Sequence, residues 1–374
     1  MTNHSFLLAI DLGAGGGAKI GVFSTPDRLV TETLLPVGEY GGTAESLADA
    51  LAAKAESALS ESGAGLKDLR GVGIASPGVF KSDGAYLQAA NLGFLNGRNL
   101  KEMLAERAGA PAAIDNDANA GGLAEWSVLR YELLYWVFGG GWGGAWISRD
   151  GEVRFPALDW DGDDARLHYT NEPGYAIPLE KVAIENEFCR LGAPYDRFEQ
   201  ILAEDFAGED GVLRGPSGSA DHVRAEMVLS GPGRCRLFRA VVGDDDSYER
   251  FLDAHEAGEM SDPAIAGKHL SKLSGMRVEA AVATDRLFGR ILAQAARILL
   301  KQARKDGLPE GAPICLGGKP SRALPYFGPS AQGALGRMGL MHYLRPSVID
   351  ERGGNANLVG AAVLAEKAAA RQDG

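Results

Sequence analysis

Asp115, Asn116, Asp117 and Asn119 place four carboxylate or amide side chains within five positions of the segment AIDNDANA, at the end of an apolar run. An ordinary strand-to-helix junction uses one or two such residues, typically as a helix N-cap, so four mark a place where polar groups converge. Two other segments are rich in glycine: DLGAGGGAK, from Asp11 to Lys19, and FGGGWGGAW, from Phe138 to Trp146. Backbone amides without side chains can approach an anion closely, and Asp11 at the end of the preceding run can orient a hydrated cation beside them. Each segment alone also reads as a loose hairpin, and the second as room made for Trp142 and Trp146. Neither fits the dinucleotide fingerprint or the common phosphate loop, because a strand follows instead of a helix. At matching places in two similar halves, the pair favours one polyphosphate gripped from both sides.

The elements that must position these groups follow from the apolar periodicity. Phe6 to Ile10, Ile20 to Phe23 and Leu29 to Val37 read as a three-strand meander. ESLADALAAKAESALSES follows, with Leu47, Leu51, Ala55, Ala58 and Leu59 near the helical period. A strand at Gly71 to Ala75, a helix at Leu100 to Ala108, a strand at Ala112 to Asp115 and a further helix complete the order βββαβαβα. A second series opens at Leu133 with LLYWVF, GAWIS and EVRF. It is interrupted by insertions from about Pro156 to Ala225 and by GDDDSYERFLDAHEAGEMSD. Regularity returns in TDRLFGRILAQAARILLKQARKDG, where Leu287, Ile291 and Ala295 share a face, Thr284 or Asp285 is the candidate cap and Gly307 the stop. Strands at Pro313 to Leu316 and His342 to Val348 and a closing helix from Leu358 finish the chain. Two α/β domains with a cleft between them are the expected architecture.

Composition excludes several classes. The chain has 374 residues, enough for two domains. Its 38 lysines and arginines against 50 aspartates and glutamates give a net charge of -12, which opposes nucleic-acid binding by phosphate neutralisation. Cys189, Cys235 and Cys315 are scattered and odd in number, disfavouring a disulfide framework and a cysteine-built zinc site. The amino terminus lacks a basic region before its apolar run, and no stretch reaches the ~20 apolar residues of a membrane-spanning helix. A cytoplasmic protein is expected. The histidines form no HExxH pattern and no GxSxG is present.

DLGAGGG, IASPG, AANLGF, IDNDANA, FGGGWGG, NEPGY, EMVLSGPG and LGGKPSR occur in the order found in bacterial glucokinases and ROK-type sugar kinases. Over nearly its whole length the chain resembles this branch of the hexokinase, actin and heat-shock ATPase superfamily. The resemblance implies two actin-like, ribonuclease H-like α/β domains: residues 1–117 plus 356–374, and residues 118–355 with the insertions. It implies an ATP-dependent sugar kinase of carbohydrate metabolism and glycolysis, a homodimer by the family's habit, with glucose the default acceptor. A non-catalytic sugar or nucleotide sensor on the same fold is the alternative. The zinc motif of many repressor-and-kinase relatives is absent, and no DNA-binding helix pair precedes Ser5, so neither structural zinc nor a repressor is expected.

Residue by residue, the resemblance puts Asp117 in the place of the general base. Asn91, Asn116, Glu172, Tyr175 and Glu226 would join it at the sugar, while Gly13, Gly15, Gly16, Gly139, Gly140, Gly141, Gly317 and Gly318 would approach the nucleotide beside Asp11. Asp11 and Asp117 would hold magnesium, largely through water. The plain alternatives are an N-cap for Asp117, solvated side chains for the glutamates and an empty helix-starting turn at Gly317 and Gly318. Two positions depart from the family. Gly15 stands for a threonine, removing a hydrogen bond worth roughly 1.5–3 kcal/mol to a charged group. Tyr175 stands for a sugar-contacting histidine, which bears on which sugar fits.

Overall fold

The computed structural model describes residues 6–13, 17–36, 39, 41–89, 92–155, 169–214, 217–255 and 263–373. The chain opens with β1 (Phe6–Gly13), β2 (Gly17–Thr25), β3 (Arg28–Leu35), α1 (Ala44–Glu61), β4 (Leu69–Ser76), β5 (Val79–Phe80), β6 (Tyr86–Gln88), α2 (Leu100–Ala108), β7 (Ala112–Asn116) and α3 (Asp117–Leu129). A second meander follows: β8 (Leu133–Phe138), β9 (Trp142–Ile147) and β10 (Val153–Arg154). The insertion holds α4 (Pro173–Ala176), β11 (Pro178–Glu180), α5 (Lys181–Leu191), α6 (Tyr195–Asp205), α7 (Asp210–Arg214) and β12 (His222–Arg224). Then come α8 (Gly231–Val242), α9 (Asp245–Ala254), α10 (Pro263–Gly275), α11 (Glu279–Lys305), β13 (Ile314–Gly317), α12 (Leu324–Arg337), β14 (Leu344–Pro346), α13 (Val348–Glu351) and α14 (Ala356–Asp373).

Two five-stranded sheets repeat one order. The first runs β3-β2-β1-β4-β7 and the second β10-β9-β8-β13-β14: a meander read backwards, then two further strands. In the first sheet the meander is antiparallel, whereas β1, β4 and β7 are parallel. This is the mixed α/β architecture expected from the sequence. Among the described residues no helix is long and apolar enough to cross a membrane.

The chain divides into two compact units: Met1–Tyr135, Ala145–Arg166 and Ser347–Gly374 form one, and Trp136–Gly144 with Leu167–Pro346 the other. In the first unit, Leu8, Ile10 and Leu12 of β1 alternate onto the face that buries Leu47, Leu51 and Leu59 of α1 and Leu100 and Leu104 of α2, as the two-residue period of a strand requires. Thr43 starts α1 with a capping box, accepting from the Ser46 N–H at 3.1 Å while the Ser46 hydroxyl accepts from its own N–H. The opposite sheet face carries α14, and β4 has glycine where that helix crosses. A Cβ at Gly73 would lie 1.8 Å from the Ala361 carbonyl oxygen. Gly73→Ala is therefore expected to cost at least the 1–3 kcal/mol typical of overpacking, read as a lower denaturant midpoint with an unchanged m-value.

Three boundaries differ from the sequence expectation. Neither Thr284 nor Asp285 caps α11, which begins five residues earlier at Glu279 after Val278. Helix formers fill the extra turn, the Thr284 hydroxyl donates to the Ala280 carbonyl at 2.8 Å, and Asp285 is buried in an ion pair. The strand near His342 shortens to β14 because Val348 already starts α13. The closing helix starts at Ala356, two residues before Leu358.

Candidate functional site

In the first unit the four polar residues of IDNDANA separate into distinct roles. Asp115 is buried at the end of β7, and its Oδ1 accepts from the Asn116 N–H at 2.7 Å and from Nδ2 of Asn119 at 2.8 Å. That pair ties strand to helix. Asn116 is the N-cap of α3, its Oδ1 accepting from the Ala118 N–H at 2.8 Å while Nδ2 donates to the Gly78 carbonyl at 3.2 Å. The cap role considered for Asp117 thus falls to its neighbour. Asp117 occupies the first turn of α3, where Oδ1 shares the Ala118 N–H at 2.9 Å. Desolvation by the surrounding protein raises its pKa from 3.8 to about 6, and the Asp11 carboxylate adds to the shift against the lowering effect of the backbone amides. A carboxylate so placed takes up a proton near neutrality.

Asp11 is held on both oxygens. Nδ2 of Asn355 donates to Oδ2 at 2.8 Å and Nδ2 of Asn357 donates to Oδ1 at 3.2 Å. Asn355 immediately precedes α14 and caps it as well, its Oδ1 accepting from the N–H groups of Asn357 and Leu358 at 3.0 and 3.2 Å. One amide therefore anchors a helix start and orients a carboxylate. The sequence carried a signal for this, an asparagine just ahead of the closing helix, hidden because the helix was expected to begin later. Gly13 pairs with Gly17 across the end of the β1–β2 hairpin. Gly15, Gly16 and Asn91 lie outside the described residues.

In the second unit the glycine turn between β8 and β9 is closed on itself. The Gly139 N–H donates to the Gly141 carbonyl at 2.9 Å, and the Gly139 carbonyl accepts from the Gly231 N–H of α8 at 2.8 Å. Gly139 is thereby spent on shaping the turn. Gly141 packs against Glu226, since a Cβ there would lie 2.6 Å from Glu226 Oε2. Gly174 makes a similar close approach, 2.7 Å from the Trp142 carbonyl and 2.8 Å from Cβ of Glu226 for an added Cβ. These contacts gather Glu172, at the N-cap of α4, with Tyr175 and Glu226. They also bring in Arg224, which no motif singles out. Arg224 ends β12 opposite Pro178, forms an ion pair with Glu226, and lays its guanidinium 4.8 Å from the Tyr175 ring centroid.

Gly317 ends β13, and Gly318 follows at φ +85°, where an added Cβ would meet the Phe138 carbonyl oxygen at 2.1 Å. Glycine is required there for packing, whatever it binds. Lys319–Ala323 then forms a single 3-10 turn leading into α12.

A family model described as the ROK family matches residues 8–152. The glucokinase of Halalkalibacterium halodurans is 30% identical, over 59% of this chain and 62% of its own length. This chain thus spans less than two thirds of that curated relative. Among solved structures, the ROK hexokinase of Thermus thermophilus superposes with a TM-score of 0.61 at 21% identity, covering 99% of this chain and 100% of that one. A ROK family glucokinase from Streptomyces griseus, solved with glucose and AMPPNP, gives 0.61 at 20% identity over 97% and 99%. The resemblance read from the motifs is borne out, and the fold is that of the ROK sugar-kinase structures.

Proposed function

We propose that this chain is an ATP-dependent sugar kinase, glucokinase-like in its default acceptor, that transfers the γ-phosphate of ATP to a hexose hydroxyl with Asp117 as general base. The observation that carries the reading is the placement of Asp117 in the first turn of α3 together with Asp11, which Asn355 and Asn357 clamp, a setting that desolvates the Asp117 carboxyl and pushes its pKa up to about 6. A base poised near the operating pH can accept the hydroxyl proton as the oxygen attacks, and phosphoryl transfer asks little more than alignment and charge neutralisation. The chemistry of the relatives supports the same reaction.

In the first unit, Asp117 takes the proton and Asp11 stays oriented through Asn355 and Asn357. Two carboxylates of this kind suit magnesium, which is bound through one or two carboxylates, water and substrate phosphates, and which neutralises phosphate charge when present. Gly13, with Gly15 and Gly16, would face the phosphates on this side. In the second unit, Glu172, Tyr175 and Glu226 receive sugar hydroxyls, and Gly140, Gly141, Gly317 and Gly318 bring backbone amides to the nucleotide. In the first, Asn91 and Asn116 are the candidate sugar-binding amides. Of the Asn116 side chain, one amide hydrogen remains for this purpose. By the same resemblance the protein is a cytoplasmic homodimer.

The test is coupled ADP release over a panel of hexoses, with wild type and Asp117→Ala side by side. Sugar-dependent turnover that falls by about 10²–10⁴ in the variant is the expected outcome. Turnover that survives the substitution removes Asp117 from the role of base. A sugar that raises the melting temperature without any turnover assigns the protein to the sensor class.

A further inference from the structure

Resting on the kinase reading, we propose that Arg224 is a specificity-determining residue of the acceptor site, selecting a neutral hydroxyl and rejecting a protonated amino group on the sugar. The Arg224 and Glu226 side chains are only 14% and 16% exposed, and they are paired. Both carboxylate oxygens of Glu226 are hemmed in: Oε1 is engaged by Arg224, and Oε2 rests against Gly141. Arg224 is fixed in turn by three neighbours. Its guanidinium covers the Tyr175 ring, and the negative charge of Glu172 acts on it against its desolvation. Among the described residues its buried Nε has no acceptor.

A sugar hydroxyl suits this arrangement because it carries both a proton and lone pairs. It donates to a carboxylate oxygen of Glu226 or Glu172 while accepting from the guanidinium, so each bond polarises the other. An ammonium group can donate to the same carboxylates, but it has no lone pair for Arg224 and meets a like charge. Without Arg224 the cluster would hold two carboxylates and no cation, a setting that attracts ammonium. Tyr175 belongs to the same device: its ring is the platform on which the guanidinium is oriented. Exchanging Tyr175 for histidine alone would therefore leave the selecting charge in place.

The experiment compares kcat/KM for glucose with that for its amino-deoxy analogues substituted at carbon 2, 3 or 4, at about pH 6.5, where an amine of pKa near 7.7–8 is protonated. Wild type is expected to favour glucose by about tenfold or more over at least one analogue. Arg224→Met should raise the relative use of that analogue about tenfold, mainly through its KM, while Arg224→Lys, which keeps the charge, should retain the wild-type preference. Melting curves establish that each variant is folded. Wild type that prefers the amino sugars overturns the proposal, as does an Arg224→Met ratio within threefold of wild type. So does Arg224→Lys behaving like Arg224→Met, which would reduce Arg224 to a packing role. Absence of turnover with every hexose and every analogue in wild type defeats the kinase reading itself, whereas turnover with unchanged ratios defeats only this inference.

Discussion

Asp117→Asn is expected to lose most of its turnover and to become more stable at the same time. The native pKa of about 6 against an ordinary 3.8 means that folding penalises the charged carboxylate. Below about pH 3.8 the group is protonated in both states and no penalty exists. Between 3.8 and 6 the unfolded chain has released a proton that the folded chain still binds, so stability falls as pH rises. Above 6 both are ionised and the cost is complete, on the order of 1–3 kcal/mol at ~1.4 kcal/mol per unit, less what its partly exposed edge returns through solvent screening. The amide removes the charge at nearly the same shape. At pH 7.5 the variant should melt a few degrees above wild type, and at pH 4.5 the difference should shrink toward zero. If Asp117 is the base proposed, wild-type kcat/KM should rise with pH through about 6 as its carboxyl loses its proton. An Asp117→Asn protein that melts at or below the wild-type temperature at pH 7.5 would mean that this carboxylate is not desolvated. Stability given up at one residue in exchange for reactivity is a common signature of functional positions.

Much of this arrangement is legible in the sequence. The meanders, α3 and the IDNDANA junction follow from local rules, because apolar period and capping chemistry are written within a few residues of where they act. What stayed hidden is non-local. The amides that hold Asp11 come from positions 355 and 357, more than 340 residues along the chain, and no spacing in the sequence joins them to position 11. Arg224 is invisible for a related reason. An arginine two residues before a glutamate reads as a solvated surface pair, and only the β11–β12 pairing, which sets Arg224 opposite Pro178, brings it over Tyr175. The candidate cap at Thr284 or Asp285 was misplaced by the same logic. Asp285 is polar because Arg234 lies opposite it, not because a helix starts there.

That pair carries the largest stability effect expected of any single substitution away from the candidate site. Arg234 of α8 donates through Nε to Oδ1 of Asp285 at 2.8 Å, and its Nη1 donates to the Ser271 hydroxyl at 3.0 Å and the Gly267 carbonyl at 3.3 Å. Both side chains are almost fully buried, 2% and 1% exposed, and desolvation pushes the Asp285 pKa upward against the pull of Arg234. Arg234→Ala leaves a carboxylate without its cation in a dry interior, a loss of about 3–5 kcal/mol. The Arg234→Met, Asp285→Leu double variant removes both charges together, and the serines around them stay satisfied. Ser271 donates to the Gly267 carbonyl and Ser274 to the Leu270 carbonyl, each at 3.0 Å within α10. Most of the lost stability should therefore return in the double variant, measured by urea unfolding. A double variant no better than Arg234→Ala would show that the pair holds α8 by geometry that apolar packing cannot replace. The distinction bears on the site, because α8 begins at Ser230, whose hydroxyl accepts from the Gly233 N–H, and at Gly231, whose N–H closes the Gly139 turn. Loosening α8 should thus weaken nucleotide binding as well as the fold, and a rise in the KM for ATP in the folded fraction of Arg234→Ala is the reading that links the two.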